Sequence, residues 1–139
     1  MERSLVLIKP DAMERRLAGT IISRLEKAGV KLVAMRMLHL DKETAGRHYA
    51  VHRDKPFFND VIAYITSTPI VAAIFEGEDA IETIRKTMGA TDPAKAEAGT
   101  IRADYGIDIQ RNCVHGSDSP QTAEVEIKIY FGEDEIFDY

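Results

Sequence analysis

A single cysteine, Cys113, in 139 residues excludes an intrachain disulfide and points to a reducing compartment. The chain has no excess of basic residues. Its 18 Lys+Arg against 23 Asp+Glu leave a formal net charge of −5, whereas a general nucleic-acid binder carries a basic face. No apolar run approaches the roughly 18 residues that would suggest a membrane span. The run Leu5 to Ile8 near the N-terminus is too short for the core of a signal peptide. A cytoplasmic, soluble chain with no membrane partner is therefore expected. Glycine-rich phosphate loops are missing too: neither G-x-G-x-x-G nor G-x-x-x-x-G-K-[ST] occurs. A bound nucleotide would have to be held by side chains rather than by a cradle of backbone N–H groups. His48 and His52 have i, i+4 spacing, but Tyr49 follows the first, so this is not the zinc motif H-E-x-x-H.

What is present organises into one expected domain, residues 1–139, long enough to bury roughly 70% of its unfolded surface. Leu5-Val6-Leu7-Ile8, closed by Pro10, reads as a buried strand. Leu17, Ile21, Ile22 and Leu25 recur at helical spacing up to Gly29, a stop signal. A strand-like stretch from Val30 to Leu40 follows, and Asp41 is a natural N-cap for a helix carrying Ala45, His48, Tyr49 and His52. Phe58, Val61, Ile62 and Ile65 mark an amphipathic helix. Ile70 to Phe75 forms a third strand, and Ile81, Ile84, Arg85 and Met88 a helix stopped by Gly89. From Gly89 to about Arg111 no period is visible, a stretch long enough to suggest a functional loop. A fourth strand is expected within Ile107 to His115, and a helix after Ser119-Pro120 carries Ala123, Ile127, Tyr130 and Phe131. The order predicts an α+β fold, a ferredoxin-like βαββαβ sandwich with a four-stranded antiparallel sheet and helices on one face.

Chemistry concentrates in Asn112-Cys113-Val114-His115-Gly116-Ser117-Asp118, just ahead of a helix start. An imidazole held beside helix-terminal N–H groups can meet a phosphate, accept a phosphoryl group and hand it on. Because the whole-protein field repels a polyphosphate, cations must be concentrated locally. Lys9 at the end of the first strand, Arg85 on a helix and Arg102 in the long loop are the candidates. Arginines can fork onto phosphate oxygens and neutralise charge during transfer. Phe57-Phe58 offers an aromatic face for a base, Phe58 being the better core residue by its spacing.

Ile8-Lys9-Pro10-Asp11, His48-Tyr49, Lys55-Pro56-Phe57-Phe58, Arg85, Met88-Gly89-Ala90-Thr91, Pro93, Gly99-Thr100-Ile101-Arg102 and N-x-x-H-G-S-D follow one another in this order. Over nearly the whole chain this pattern resembles the nucleoside diphosphate kinases. The resemblance implies that His115 is the phosphorylated nucleophile in a ping-pong transfer of a γ-phosphoryl group from a nucleoside triphosphate to a diphosphate. It also implies that Arg85, Thr91 and Arg102 bind phosphates, and that Lys9 and Asn112 reach the ribose, with Lys9 also reaching the transferring phosphate. By the same resemblance Phe57 stacks on the base, with Val61 in the base slot where a leucine is common. Tyr49 sits near the γ-phosphate, and Ser117 and Glu126 hold the histidine network. Mg²⁺ would arrive on the nucleotide rather than in a protein cage. A homo-oligomer, a tetramer or hexamer built from dimers, is implied, with Pro93 and its loop at subunit contacts. Ala12 and Arg16 stand where the family commonly has glycine, which bears on the local backbone there. Two other readings compete: a non-catalytic ATP sensor on the same fold, and an RNA-binding module. The second lacks the aromatic K/R-G-F/Y-G/A-F-V-x-F/Y strand.

Overall fold

The computed structural model describes all 139 residues, Met1–Tyr139. Four strands form one antiparallel sheet: β1 (Glu2–Ile8), β2 (Lys31–Leu38), β3 (Ile70–Gly77) and β4 (Val114–Gly116), in the order β2-β3-β1-β4. Seven helices accompany them: α1 (Pro10–Glu14), α2 (Ala18–Lys27), α3 (Lys42–His48), α4 (Phe58–Ile65), α5 (Ala80–Met88), α6 (Ile101–Tyr105) and α7 (Pro120–Tyr130). The strand order and the crossovers through α2 and α5 are those of the ferredoxin-like α+β fold.

The helices cover both faces of the sheet, not one as expected. The reason lies in the two central strands. Successive strand side chains point to opposite faces, and β1 and β3 are apolar at every position from Leu5 to Ile8 and from Ile70 to Phe75. Val6, Ile8, Val71, Ala73 and Phe75 pack with Ile21 and Leu25 of α2 and Ile84 and Met88 of α5. Leu5, Leu7, Ile70, Ala72 and Ile74 pack instead with Ala45 of α3, Ile62 and Ile65 of α4 and Tyr130 of α7. An unbroken apolar run is the mark of a strand buried on both sides. Each of Leu5, Val6, Leu7 and Ile8 is fully buried, and each contributes about 1.5–3 kcal/mol relative to exposure.

Caps fall where the sequence puts them. Asp41 accepts the Thr44 N–H at 2.7 Å, and Ser119 accepts the Thr122 N–H at 3.1 Å. Three short elements were not foreseen in form. Pro10 ends β1 but also opens α1, where its missing N–H and fixed φ suit the first helical turn. The aperiodic stretch after Gly89 contains α6, capped by Thr100, whose five residues are too few to display a helical period. The fourth strand is three residues long and runs from the far end of the expected window to one residue past it, at Gly116.

Helix α1 ends with Arg16 N–H bonded to the Met13 carbonyl and Leu17 N–H to the Ala12 carbonyl, and Arg16 has φ 60°. This is a Schellman stop with a left-handed residue where glycine is favoured. Arg16 is exposed, so little packing offsets the strain on its backbone. Arg16→Gly should therefore stabilise the fold by about 0.5–1 kcal/mol, read as a higher thermal midpoint. An unchanged or lower midpoint would show that the arginine side chain outweighs the strain.

Candidate active site

His115 sits in β4, the strand that pairs with the end of β1, opposite Leu7. The strand also lies close against α5, which needs Gly116: a Cβ there would lie 2.8 Å from Met88 Cε and 3.0 Å from Ile84 Cγ2. The loop leading into β4 is tied back to β1 by Lys9 N–H donating to the Cys113 carbonyl at 2.9 Å. Lys9 Nζ donates to Asn112 Oδ1 at 2.9 Å and to the Gln110 carbonyl at 2.6 Å. Burial lowers the Lys9 ammonium to about 8, with Asp11 opposing and Arg102 reinforcing the shift.

Behind the imidazole stands α7. His115 Nε2 lies 3.1 Å from Glu126 Oε1, and Ser117 Oγ donates to the same oxygen at 2.7 Å. Ser117 is itself fixed by accepting the Leu5 N–H at 3.0 Å. Burial pushes the Glu126 carboxyl up, but the hydrogen bond and charge of His115, then His48 and Ser117, outweigh it, so its pKa lies below the usual carboxylate range. An ionised carboxylate only accepts. Nε2 therefore carries the proton, and the lone pair is on Nδ1. The geometry thus selects one tautomer and leaves one nucleophilic nitrogen.

His48 completes this wall. Tyr130 OH lies 3.1 Å from its Nδ1, its ring meets that of His115 edge-on at 4.8 Å, and its Nε2 is 3.8 Å from Glu126 Oε2. Burial, then the neighbouring His115, drive its pKa down to about 3 against the opposing pull of Glu126. Its folded pKa is below its unfolded value of 6.5. Stability is therefore complete above pH 6.5 and lost as pH falls toward 3. The expected slope from this residue is at most about 1.4 kcal/mol per pH unit. Urea unfolding between pH 7.5 and pH 5 should show a shallower pH slope for His48→Gln than for the unaltered protein. Equal slopes would mean that His48 is not the group being titrated.

A cleft of about 1070 Å³ opens on this wall. Six Lys and Arg side chains against four Asp and Glu line it, so a chain of net charge −5 does gather cations here. Lys9, Tyr49, Arg85 and Thr91 reach the cleft, as do Arg102, Asn112, His115 and Glu126. Ser117 lies fully buried behind it. Phe57 and Val61 do not belong to its lining. Phe57 is 46% exposed at the start of α4, against His52, which does line the cleft, at a ring separation of 5.5 Å. Val61 is half-buried one turn further along α4. Ile109, which the sequence did not single out, lines the cleft, as does His52, which the sequence named only as a helix residue and in setting aside a zinc motif. Ile109 is 62% exposed, and the available signal in the sequence was only an apolar residue inside the aperiodic stretch after Gly89.

The two arginines differ in kind. Arg85 is exposed on α5 with one long bond, 3.5 Å, to the Asp118 carbonyl. Arg102 is buried and donates to the carbonyls of Asn112, Gly89 and Val114 at 3.3, 2.9 and 2.7 Å. Burial lowers its pKa to about 10, so it remains a cation at neutral pH. Its Gly89 partner has φ 88°, and a Cβ there would lie 2.4 Å from Thr100 Oγ1. Asn112, besides bonding Lys9, donates from Nδ2 to the Thr91 carbonyl at 3.0 Å. Tyr49 packs its ring 4.6 Å from that of His48. Burial, then Glu126, raise its pKa well above the ordinary phenol range; it stays a neutral hydroxyl.

Comparison with known proteins gives this arrangement a context. The nucleoside diphosphate kinase family model matches residues 2–136. A nucleoside diphosphate kinase of Dehalococcoides mccartyi is 56% identical over 139 residues, covering 100% of this chain and 98% of its own. One from Archaeoglobus fulgidus is 53% identical, covering 100% of this chain and 92% of its own. Among solved structures, the Halobacterium salinarum nucleoside diphosphate kinase in complex with CDP superposes with TM-score 0.96 at 46% identity, covering 99% of this chain and 92% of that one. The Aquifex aeolicus enzyme superposes with TM-score 0.95 at 42% identity, covering 98% and 99%. Sequence, sheet order and these full-length similarities converge: the chain belongs to the nucleoside diphosphate kinase family.

Proposed function

We propose that the chain, acting as a single domain over 1–139, exchanges γ-phosphoryl groups between nucleoside triphosphates and diphosphates through a phosphohistidine on His115. The observation that carries this reading is the hydrogen bond between His115 Nε2 and Glu126 Oε1, which leaves Nδ1 with the free lone pair. Nδ1 attacks the γ-phosphorus, the bond from that phosphorus to the bridging oxygen breaks, and the donor leaves as a diphosphate. The imidazole gains positive charge as the N–P bond forms, and ionised Glu126 stabilises it. The acceptor diphosphate then takes the group back through its terminal oxygen, and the N–P bond breaks. One cleft serves both half-reactions because each is nearly the other in reverse.

Arg85, Arg102 and Lys9 would neutralise charge on the transferring group, with Thr91 and the neutral hydroxyl of Tyr49 as further donors. Lys9 and Asn112, held together, would read the ribose. Phe57 beside His52 would offer a stacking surface for the base, with Val61 behind it. Mg²⁺ enters as part of the substrate, bound to the nucleotide phosphates. The donor chemistry favours this: the one cluster of potential metal ligands is His48, His115 and Glu126, rich in nitrogen, whereas Mg²⁺ prefers an octahedron of oxygens. We further infer a cytoplasmic homo-oligomer, a tetramer or hexamer built from dimers. No helix is long and apolar enough to cross a membrane. The sensor reading is not favoured, since it gives the His115–Glu126–Ser117 network nothing to do.

Brief exposure to γ-labelled ATP should produce labelled protein that is stable in base and labile in acid. A chase with unlabelled diphosphate should discharge it into triphosphate. Transfer to the diphosphate without any labelled protein intermediate would exclude the ping-pong route.

A further inference from the structure

Two carboxylates are buried in this protein, Glu126 and Asp11. The first serves the imidazole. The second lies in α1, outside the lining of the cleft, and the transfer reaction gives it no role. Burying a carboxylate is costly unless it is well hydrogen-bonded, so its partners show what it is held for. Asp11 Oδ1 accepts from Tyr64 OH at 2.5 Å, and Oδ2 accepts the backbone N–H of Cys113 at 3.0 Å. Tyr64 OH in turn accepts the Asp11 backbone N–H at 2.9 Å.

Cys113 has φ 75°, in the left-handed region that a residue with a Cβ rarely adopts. Strain of this kind costs about 1–3 kcal/mol and persists only where the surroundings over-determine it. The side chain does not explain it: the thiol is fully buried, and burial raises its pKa to about 11, so it is not a reactive nucleophile. The backbone does. On one side of Cys113 is Asn112, with Oδ1 on Lys9 Nζ and its carbonyl on Arg102 Nε. On the other is Val114, whose carbonyl takes Arg102 Nη2, and then His115. The Cys113 carbonyl accepts from the Lys9 N–H. The left-handed turn is thus the joint between Lys9, Asn112 and the nucleophile's strand.

We propose that Asp11 is a positioning residue for nucleotide binding: by holding the Cys113 N–H, its carboxylate locks the left-handed turn that sets Asn112 against Lys9. This rests on the reading of Lys9 and Asn112 as contacts to the nucleotide. His115 is secured separately, by β4 pairing with β1 and by Glu126. The effect of Asp11 therefore falls on binding more than on the chemical step.

The test measures kcat and KM for ATP, together with labelling by γ-labelled ATP, in Asp11→Ala, Asp11→Asn and the double variant Asp11→Ala/Cys113→Gly. Asp11→Ala should raise KM tenfold or more while kcat stays within about threefold. Asp11→Asn keeps a carbonyl acceptor for the Cys113 N–H and should recover most of the lost KM. The double variant should also recover KM at least threefold over Asp11→Ala, because glycine enters the left-handed region without steric strain. A KM unchanged in Asp11→Ala, a fall in kcat alone, or no recovery in the double variant would overturn the proposal. If Asp11→Ala fails to fold, Asp11→Asn and the single variant Asp11→Leu carry the same comparison, and loss of KM in Asn equal to that in Leu overturns it. Absence of label in the unaltered protein would instead sink the reading of His115, so the two failures are distinguishable.

Discussion

His115→Asn and His115→Ala should take up no label from γ-labelled ATP, and their transferase activity should fall to background, while nucleotide binding should largely persist. This is the largest effect expected of any substitution in the chain, because His115 lines the cleft with its Nε2 held by Glu126, which leaves the lone pair on Nδ1. His48 cannot stand in. Its Nδ1 is engaged by Tyr130 OH, and it is nine-tenths buried behind the His115 ring. Cys113 is fully buried with its thiol pushed up to about 11. Binding survives because the phosphate contacts proposed for Arg85, Arg102 and Lys9 do not run through the imidazole, to which none of the three bonds. The Asn variant keeps a donor for Glu126 and should be the better folded of the two. Retention of acid-labile label in either would put the nucleophile elsewhere.

Arg102→Lys and Arg85→Lys should each lower kcat/KM by about tenfold or more, roughly 1.4 kcal/mol and above, because the bidentate fork is lost while the charge remains. Their stabilities should part company. Arg102 bonds three backbone carbonyls of the segments that carry Gly89, Asn112 and Val114. A lysine ammonium cannot span that set, and each buried acceptor left unpaired costs about 1–3 kcal/mol. Arg102→Lys should therefore also lower the thermal midpoint and distort the cleft as a whole. Arg85, exposed and loosely tied to Asp118, is free to turn toward a ligand, and its substitution should leave the midpoint unchanged. Equal midpoints for the two variants would show that the carbonyl bonds of Arg102 contribute nothing net. Activity within twofold of normal in either would reduce that arginine to a surface charge.

Much of this protein was legible before its shape was known. The unbroken apolar runs at Leu5 to Ile8 and Ile70 to Phe75, the caps Asp41 and Ser119 and the helical spacing around Ile21 and Ile84 are local signals, and local signals survive in a linear text. The N-x-x-H-G-S-D segment and the dispersed Lys9, Arg85 and Arg102 likewise carried their chemistry in residue type and order.

What the sequence left open depends on contacts between distant segments. That both sheet faces are covered follows from α3, α4 and α7 closing over Leu5, Leu7 and Ile74, a matter of packing rather than period. The short helix α6 is held by Thr100 and by its place against the rest of the fold, not by a visible repeat. The dual nature of Arg102 could not be read from its name, because its three carbonyl partners meet only once β4 lies beside the end of α5. The roles of Asp11 and Cys113 are hidden for the same reason: a hydrogen bond across 102 residues stabilises a backbone angle that no residue type announces. The sequence by itself named the residues proposed for phosphoryl chemistry and determined which strands had to be buried. The tertiary structure alone decided which nitrogen of His115 is free and which arginine can move, because both depend on where a donor or acceptor finds its partner.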